Sequence, residues 1–103
     1  MPIKKLKKVS HAMLRAAERI SGSANIDSLN DLFKNADSEG EELTYRKSWK
    51  SPGAKTPNRI YKLHPTEISE SGNGIVCVFA KDKNEDLVPV TVLEHFKNRF
   101  RSK

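Results

Sequence analysis

The chain has 103 residues, of which 36% are hydrophobic and 31% are charged, and its 19 Lys and Arg against 13 Asp and Glu give a net charge of +6. This length fits one domain with a modest core and excludes a multidomain enzyme. The longest apolar run, residues 75–80, is far shorter than the roughly 20 residues that a membrane-spanning helix needs.

The N-terminal segment, residues 1–9, is predicted to be a basic arm or a first strand. Its cations are Lys4, Lys5, Lys7 and Lys8. Lysines in this arrangement suit contacts with phosphate backbones. No apolar stretch follows them as it would in a signal peptide, and a single cysteine excludes an internal disulfide. We therefore expect a cytoplasmic protein.

Two helices are predicted in the first third of the chain. Ser10 is placed to cap the first, over residues 11–20, in which apolar side chains recur every three or four positions. The same spacing resumes over residues 26–36, where Asn25 or Asp27 is available as the cap. The acidic residues 37–42 are expected to form a loop.

Four strands are predicted in the rest of the chain. They cover residues 43–49, 59–63, 75–80 and 87–90, where alternating or apolar side chains lie between turn sequences. His64-Pro65 is expected to close the second strand. The third strand is the most apolar, which favours a central position. Pro89 lacks an N–H donor and therefore favours an edge position for the fourth.

A short helix is predicted at the C-terminus. Thr91 and Glu94 have the spacing of a capping box, and Leu93, Phe96 and Phe100 follow at helical intervals. The predicted fold is therefore α+β, with two N-terminal helices, a small antiparallel sheet of about four strands and a short C-terminal helix in a single domain over residues 10–103. The predicted core comprises Leu29, Leu32, Phe33, Ile75, Cys77, Phe79, Leu93 and Phe96.

Residues 44–65 carry six cations and no acid, and Tyr45, Trp49 and Tyr61 lie among them. Cations neutralise phosphates, and exposed aromatic rings can stack on unpaired bases. These features favour a small basic nucleic-acid-binding regulatory protein, with DNA and RNA both open. The predicted contact residues are Lys4, Lys5, Lys7, Lys8, Arg46, Lys47, Trp49, Lys50, Lys55, Arg59, Tyr61 and Lys62. The alternative is that Tyr45 and Trp49, which share strand parity, face the core together.

A second functional class uses the opposite charge. Residues 21–43 carry six acids against Lys34, and such a block can steer a protein onto a basic protein surface. The alternative function is therefore a protein-binding inhibitor or adaptor of the phage or mobile-element type, acting through the acidic block 27–42. A membrane partner is not predicted.

Enzyme motifs for nucleotides, hydrolase nucleophiles and zinc are missing, so we predict no catalytic residue, metal or cofactor. The order of an optional first strand, two helices and an antiparallel sheet nevertheless resembles the messenger-RNA-cleaving bacterial toxins of the RelE type. Arg59-Ile60-Tyr61 is similar to the arginine-containing strand of that family. The resemblance implies RNA cleavage, with base, acid and phosphate-binding roles filled by His64, Tyr61, Arg46 and Arg59.

Overall fold

The computed structural model describes residues 3, 11–22, 25–45, 59–96 and 99–103. Their elements are α1 (His11–Ser21), α2 (Ile26–Glu39), β1 (Glu41–Tyr45), β2 (Arg59–Ile68), β3 (Gly74–Lys81), β4 (Leu87–Glu94) and β5 (Phe100–Ser102). Within these residues the strands form one antiparallel sheet in the order β4-β3-β2-β1-β5. The α+β class is thereby confirmed. Neither of the two helices is long and apolar enough to cross a membrane.

Local signals set the limits of α2. The Asn25 Oδ1 accepts a hydrogen bond from the Ser28 N–H at 2.8 Å, which caps the first turn. The helix continues through Glu39, so it takes up half of the acidic segment that was predicted to be a loop. A Cβ at Gly40 would lie 2.5 Å from the Leu63 carbonyl oxygen. Only glycine therefore lets the chain turn from α2 into β1 so close to β2.

The larger part of the core lies between the helices and one face of the sheet. Its buried members are Met13, Ala17, Leu29, Leu32, Phe33, Ala36, Ile75, Cys77, Phe79, Leu87 and Val92. The rings of Phe33 and Phe79 meet edge to face with centroids 5.4 Å apart. Burial raises the pKa of the Cys77 thiol to about 12, so this side chain stays neutral and packs as a small hydrophobe.

A second apolar cluster lies on the opposite face of the sheet. Its buried members are Leu43, Tyr61, Val76, Val78 and Phe100. Successive side chains of β3 point to alternate faces, so both faces of this strand are buried. β3 is therefore an interior strand as its composition indicated, although β2 occupies the middle of the sheet. β4 is an edge strand, as Pro89 predicted.

The predicted C-terminal helix is wrong. Thr91 and Leu93 belong to β4 and pair with Val78 and Val76 of β3. Pairing with a neighbouring strand satisfies the backbone along the whole segment, whereas a capping box satisfies only a helix end. Phe100 lies in a fifth strand and pairs with Tyr45. Phe96 and Leu93 are only partly buried, so neither belongs to the fully buried core.

Two further strand boundaries differ from the prediction. β2 does not end at Leu63 but continues through Pro65 to Ile68, because the register with β3 shifts between Leu63 and Ile68 and leaves Pro65 outside the regular ladder. β1 starts two residues earlier than predicted, and residues 46–49 lie outside the described residues. Of the N-terminal arm, Ile3 is described, and it forms an isolated parallel bridge with Leu87.

Candidate nucleic-acid interface

One end of the sheet, here called the basic end, is marked by Tyr45, Arg59, Ala80, Val88 and Phe100. Arg59 lies opposite Ala80, Ala80 lies opposite Val88, and Tyr45 lies opposite Phe100. Because Leu43 pairs with Tyr61, Tyr45 and Arg59 extend two residues further toward this same end. The five residues thus form one row across the sheet.

The basic segments of the sequence are joined to this row. Residues 46–58 connect Tyr45 to Arg59, and Ile3, which immediately precedes the lysines of the arm, bridges to Leu87 beside Val88. Most of the predicted contacts lie in these segments, outside the described residues, and they stay predictions: Lys4, Lys5, Lys7, Lys8, Arg46, Lys47, Trp49, Lys50 and Lys55.

The basic residues are unevenly distributed along the sequence. Residues 1–10 carry four cations and residues 46–58 carry another four, and neither segment contains an acid. The turn between β3 and β4 lies at the same end of the sheet as the row, and it carries the acids Asp82, Glu85 and Asp86 beside Lys81 and Lys83. The two acid-free segments are therefore joined to an end of the sheet that also carries carboxylates.

Lys62 was predicted to contact phosphate, but it faces the helices. Its Nζ lies 2.8 Å from the Asp37 Oδ1 and donates to the Asp37 carbonyl oxygen at 3.1 Å. Both side chains are mostly buried, with exposed fractions of 16% and 14%. This ion pair ties β2 to the end of α2. Lys62 is therefore not part of the candidate interface that the structure describes.

Arg59 and Tyr61 lie on the other face of β2, next to an aromatic cluster. Ring centroids are 5.2 Å apart for Tyr45 and Tyr61, 5.0 Å for Tyr45 and Phe100, and 5.6 Å for Tyr61 and Phe100. The ring of His95 stacks on Phe100 at 5.9 Å. Tyr61 is only 8% exposed, so its ring packs against these neighbours instead of offering a face to a base.

The polar groups at this cluster suit an anion. Burial raises the pKa of the Tyr61 hydroxyl, the nearby Tyr45 phenol raises it further, and the Arg59 guanidinium acts in the opposite direction. The hydroxyl therefore stays protonated as a donor at neutral pH. A guanidinium beside a phenol O–H provides donors that match phosphate oxygens. Within the described residues, Tyr61 therefore does not offer its ring for stacking, and whether Arg59 contacts phosphate stays a prediction.

Two aromatic neighbours, His95 and Phe100, were missed as parts of this region. They come from the far end of the chain, after β4, and join the cluster only because β5 pairs with β1. Because this segment was predicted to be a helix, the pairing of β5 with β1 was not predicted. No local signal around Phe100 indicates a strand of three residues.

The acid and base implied by the toxin resemblance do not converge. Tyr61 and His64 are three positions apart on one strand and lie on opposite faces of the sheet. The His64 Nδ1 accepts hydrogen bonds from the backbone N–H groups of Thr66 and Glu67 at 3.2 and 3.0 Å. His64 is buried at 6% exposure, and burial lowers its pKa. This histidine supports the irregular part of β2.

The candidate interface consists of Tyr45, Arg59 and Tyr61 on the sheet and the basic segments joined to them. Within the described ranges, no group of three His, Cys, Asp or Glu side chains is arranged to hold a metal ion. Comparisons with protein-family models, with curated proteins and with solved structures found no match for this chain.

Proposed function

We propose that this protein is a small nucleic-acid-binding regulator whose basic end contacts phosphate backbones. The observation that carries the proposal is that two acid-free basic segments, residues 1–10 and 46–58, are joined to the same end of the sheet, one through the bridge of Ile3 to Leu87 and the other between Tyr45 and Arg59. Cations grouped in this way release counterions from a nucleic acid when they bind it, which is favourable at physiological salt. An even distribution of the same net charge would give a weaker local field.

The sheet supplies a fixed support for these segments. Arg59 begins β2, which is hydrogen-bonded to β1 on one side and to β3 on the other. The neighbouring rings of Tyr45, Tyr61 and Phe100 pack closely against one another and stabilise the part of the sheet where β2 begins. A phosphate bound at Arg59 would therefore be positioned relative to the whole domain, while the lysines of residues 46–58 add further backbone contacts.

The proposal implies modest sequence preference. Phosphate contacts position a protein but do not distinguish bases, and Tyr61 does not offer its ring for stacking. Both DNA and RNA are therefore expected to bind, with affinity set mainly by charge density. Regulation would follow from occupying a nucleic-acid segment, since the proposed mechanism uses no catalytic group.

The test compares two triple variants that remove equal charge. Lys47→Ala, Lys50→Ala and Arg59→Ala alter the basic end, whereas Arg15→Ala, Arg19→Ala and Lys34→Ala alter exposed positions on the helices. Fluorescence anisotropy with a short single strand and a short duplex would measure the affinity at low salt. We expect the first variant to lose about tenfold or more and the second to lose only a few-fold.

Equal losses of affinity in the two variants would contradict the assignment of the interface, because affinity would then depend on net charge alone. Failure of the wild-type protein to bind either nucleic acid at low salt would contradict the function itself. The protein-binding inhibitor or adaptor acting through the acidic block 27–42 would then be the better account.

A further inference from the structure

The turn between β2 and β3 contains an asparagine that is followed directly by a glycine, Asn73-Gly74. The chain has seven asparagines, and the other six all precede a residue with a side chain. A backbone nitrogen can attack the side-chain amide of the asparagine before it, and the side chain of the attacking residue hinders this reaction. Glycine has no Cβ and the fewest conformational restrictions. The sequence therefore singles out Asn73 as the asparagine whose amide is most open to this attack.

The side chain of Asn73 connects the turn to β4. Its Nδ2 donates a hydrogen bond to the Glu94 Oε2 at 2.9 Å. The Ser69 Oγ donates to the same carboxylate oxygen at 3.3 Å and accepts from the Asn73 N–H at 3.2 Å. Ser69 is buried, and its own N–H donates to the Asn73 carbonyl oxygen at 2.6 Å. The geometry of the turn therefore depends on Asn73 presenting a hydrogen-bond donor to Glu94.

The Gly74 nitrogen lies outside the hydrogen-bond ladder between β3 and β4. The Gly74 carbonyl oxygen accepts from the His95 N–H at 2.8 Å. The N–H and C=O of one strand residue point to the same side, so a continued ladder would return a bond from the Gly74 N–H to the His95 carbonyl oxygen. Between these two described residues that return bond is not formed, and the register of β3 with β4 ends at Ile75 and Glu94. The ladder therefore does not hold the nitrogen that must react.

We propose that Asn73 is a site of spontaneous deamidation, and that this modification loosens the turn between β2 and β3. The co-reactant is water, and no enzyme or cofactor is required. The proposal does not rest on the proposed nucleic-acid function, because the turn lies at the end of the sheet away from Arg59.

The reaction proceeds through a cyclic imide. The Gly74 nitrogen forms a bond to the Asn73 Cγ, the bond from Cγ to Nδ2 breaks, and Nδ2 leaves as ammonia together with the proton of the Gly74 N–H. Water then adds to one of the two ring carbonyl carbons and breaks its bond to the Gly74 nitrogen, which regains a proton. Opening at one carbonyl gives aspartate, and opening at the other gives isoaspartate. No atom is oxidised or reduced.

Both products disrupt the contact with Glu94. Aspartate places a carboxylate oxygen where the donor Nδ2 lies, next to the Glu94 carboxylate, and like charges at this separation repel each other. Isoaspartate also adds a methylene group to the backbone. The longer backbone is incompatible with the bond from the Ser69 N–H to the residue 73 carbonyl and with the pairing of Ile68 and Gly74. The modified turn is therefore less stable, and the change accumulates irreversibly with time.

The first experiment follows the folded wild-type protein during incubation in warm, mildly alkaline buffer made with water labelled with heavy oxygen. Peptide mapping by mass spectrometry should show loss of ammonia and then uptake of one labelled oxygen at residue 73. Chromatography should separate the aspartate and isoaspartate peptides. Asn84 is the internal control, because it lies in the exposed turn between β3 and β4 but precedes Glu85, and it should keep its amide.

The second experiment measures urea unfolding of variants at the contact with Glu94. Asn73→Asp introduces one of the two products and should move the unfolding midpoint to lower urea. Combining it with Glu94→Gln supplies a new donor opposite the new carboxylate and should recover most of that shift. Incubation should move the wild-type midpoint toward that of Asn73→Asp, whereas Asn73→Gln should keep its midpoint during incubation. Gly74 is left unchanged in all variants, because a Cβ there would lie 2.8 Å from the Leu63 Cδ1.

Three results would overturn the proposal. Residue 73 of the folded protein could remain unmodified, or it could be modified no faster than Asn84, and either result would reject the site. An unfolding midpoint that Asn73→Asp leaves unchanged would reject the effect on the turn. Failure of Glu94→Gln to recover the shift would show that repulsion between the two carboxylates is not its cause.

Discussion

The stability of β2 depends on the protonation state of His64. The Nδ1 of the neutral ring accepts hydrogen bonds from the backbone N–H groups of Thr66 and Glu67, and protonation of Nδ1 removes this acceptor. Burial lowers the folded-state pKa below the ordinary value of 6.5. At a pH between the folded-state pKa and 6.5, the unfolded chain binds more protons at His64 than the folded chain does. The contribution of neutral His64 to the free energy of unfolding is therefore fully present above pH 6.5, and it is lost as the pH falls through the folded-state pKa.

Urea unfolding at several pH values between 7.5 and 5 would measure this contribution. The control is His64→Asn, whose side-chain oxygen can accept from the same backbone but does not titrate. We expect the free energy of unfolding of the wild type to fall more steeply on acidification than that of the variant. Equal slopes, or an imidazole titration with a pKa above 6.5 by NMR, would contradict this role.

Lys62 and Arg59 should respond differently to substitution, although both are cations of β2. Lys62→Met removes one partner of a mostly buried ion pair and is expected to lower the free energy of unfolding by about 1–3 kcal/mol. Nucleic-acid affinity should change little, since Lys62 faces α2. Arg59→Met should show the reverse pattern. Chemical denaturation would measure the stability of both variants, and fluorescence anisotropy on the same samples would measure their nucleic-acid affinity. Loss of affinity in a stable Lys62→Met protein would show that Lys62 does contact nucleic acid.

At the scale of elements, β3 holds the domain together because the larger core covers one of its faces and the aromatic cluster lies on the other. Phe79→Ala should cost about 3–5 kcal/mol, since the ring is fully buried against Phe33. Phe96→Ala should cost clearly less, because Phe96 is only partly buried in the segment after β4. Urea unfolding would compare the two variants. A larger loss for Phe96→Ala would contradict the core described here.

Elements with local signals were predictable from the sequence, and those with distant partners were not. The spacing of α2 and its cap at Asn25 identify that helix without tertiary information, and the apolar run of β3 identifies an interior strand. Thr91 and Phe100 gave helical signals that pairing with β3 and β1 overrides. At the candidate interface, the charge pattern selected both Arg59 and Lys62. It could not indicate that Lys62 turns toward Asp37, because that orientation depends on where α2 packs.

At the scale of the whole molecule, the distribution of charge along the sequence is the feature from which the proposed function derives. Residues 1–10 and 46–58 carry eight cations and no acid, and both segments are joined to the end of the sheet that Arg59 and Val88 mark. Under the proposed function, these cations attract a polyanion to this end and orient the protein on it before any close contact forms.

The salt dependence of nucleic-acid affinity tests the central claim most directly, because each phosphate contact adds about 0.7 to 0.9 to the slope of log K against log salt. With four or more contacts from the basic end, the wild-type slope should be about −3 or steeper. The Lys47, Lys50 and Arg59 triple variant should flatten it by about 2. A wild-type slope near zero, or a slope that the triple variant leaves unchanged, would contradict the account.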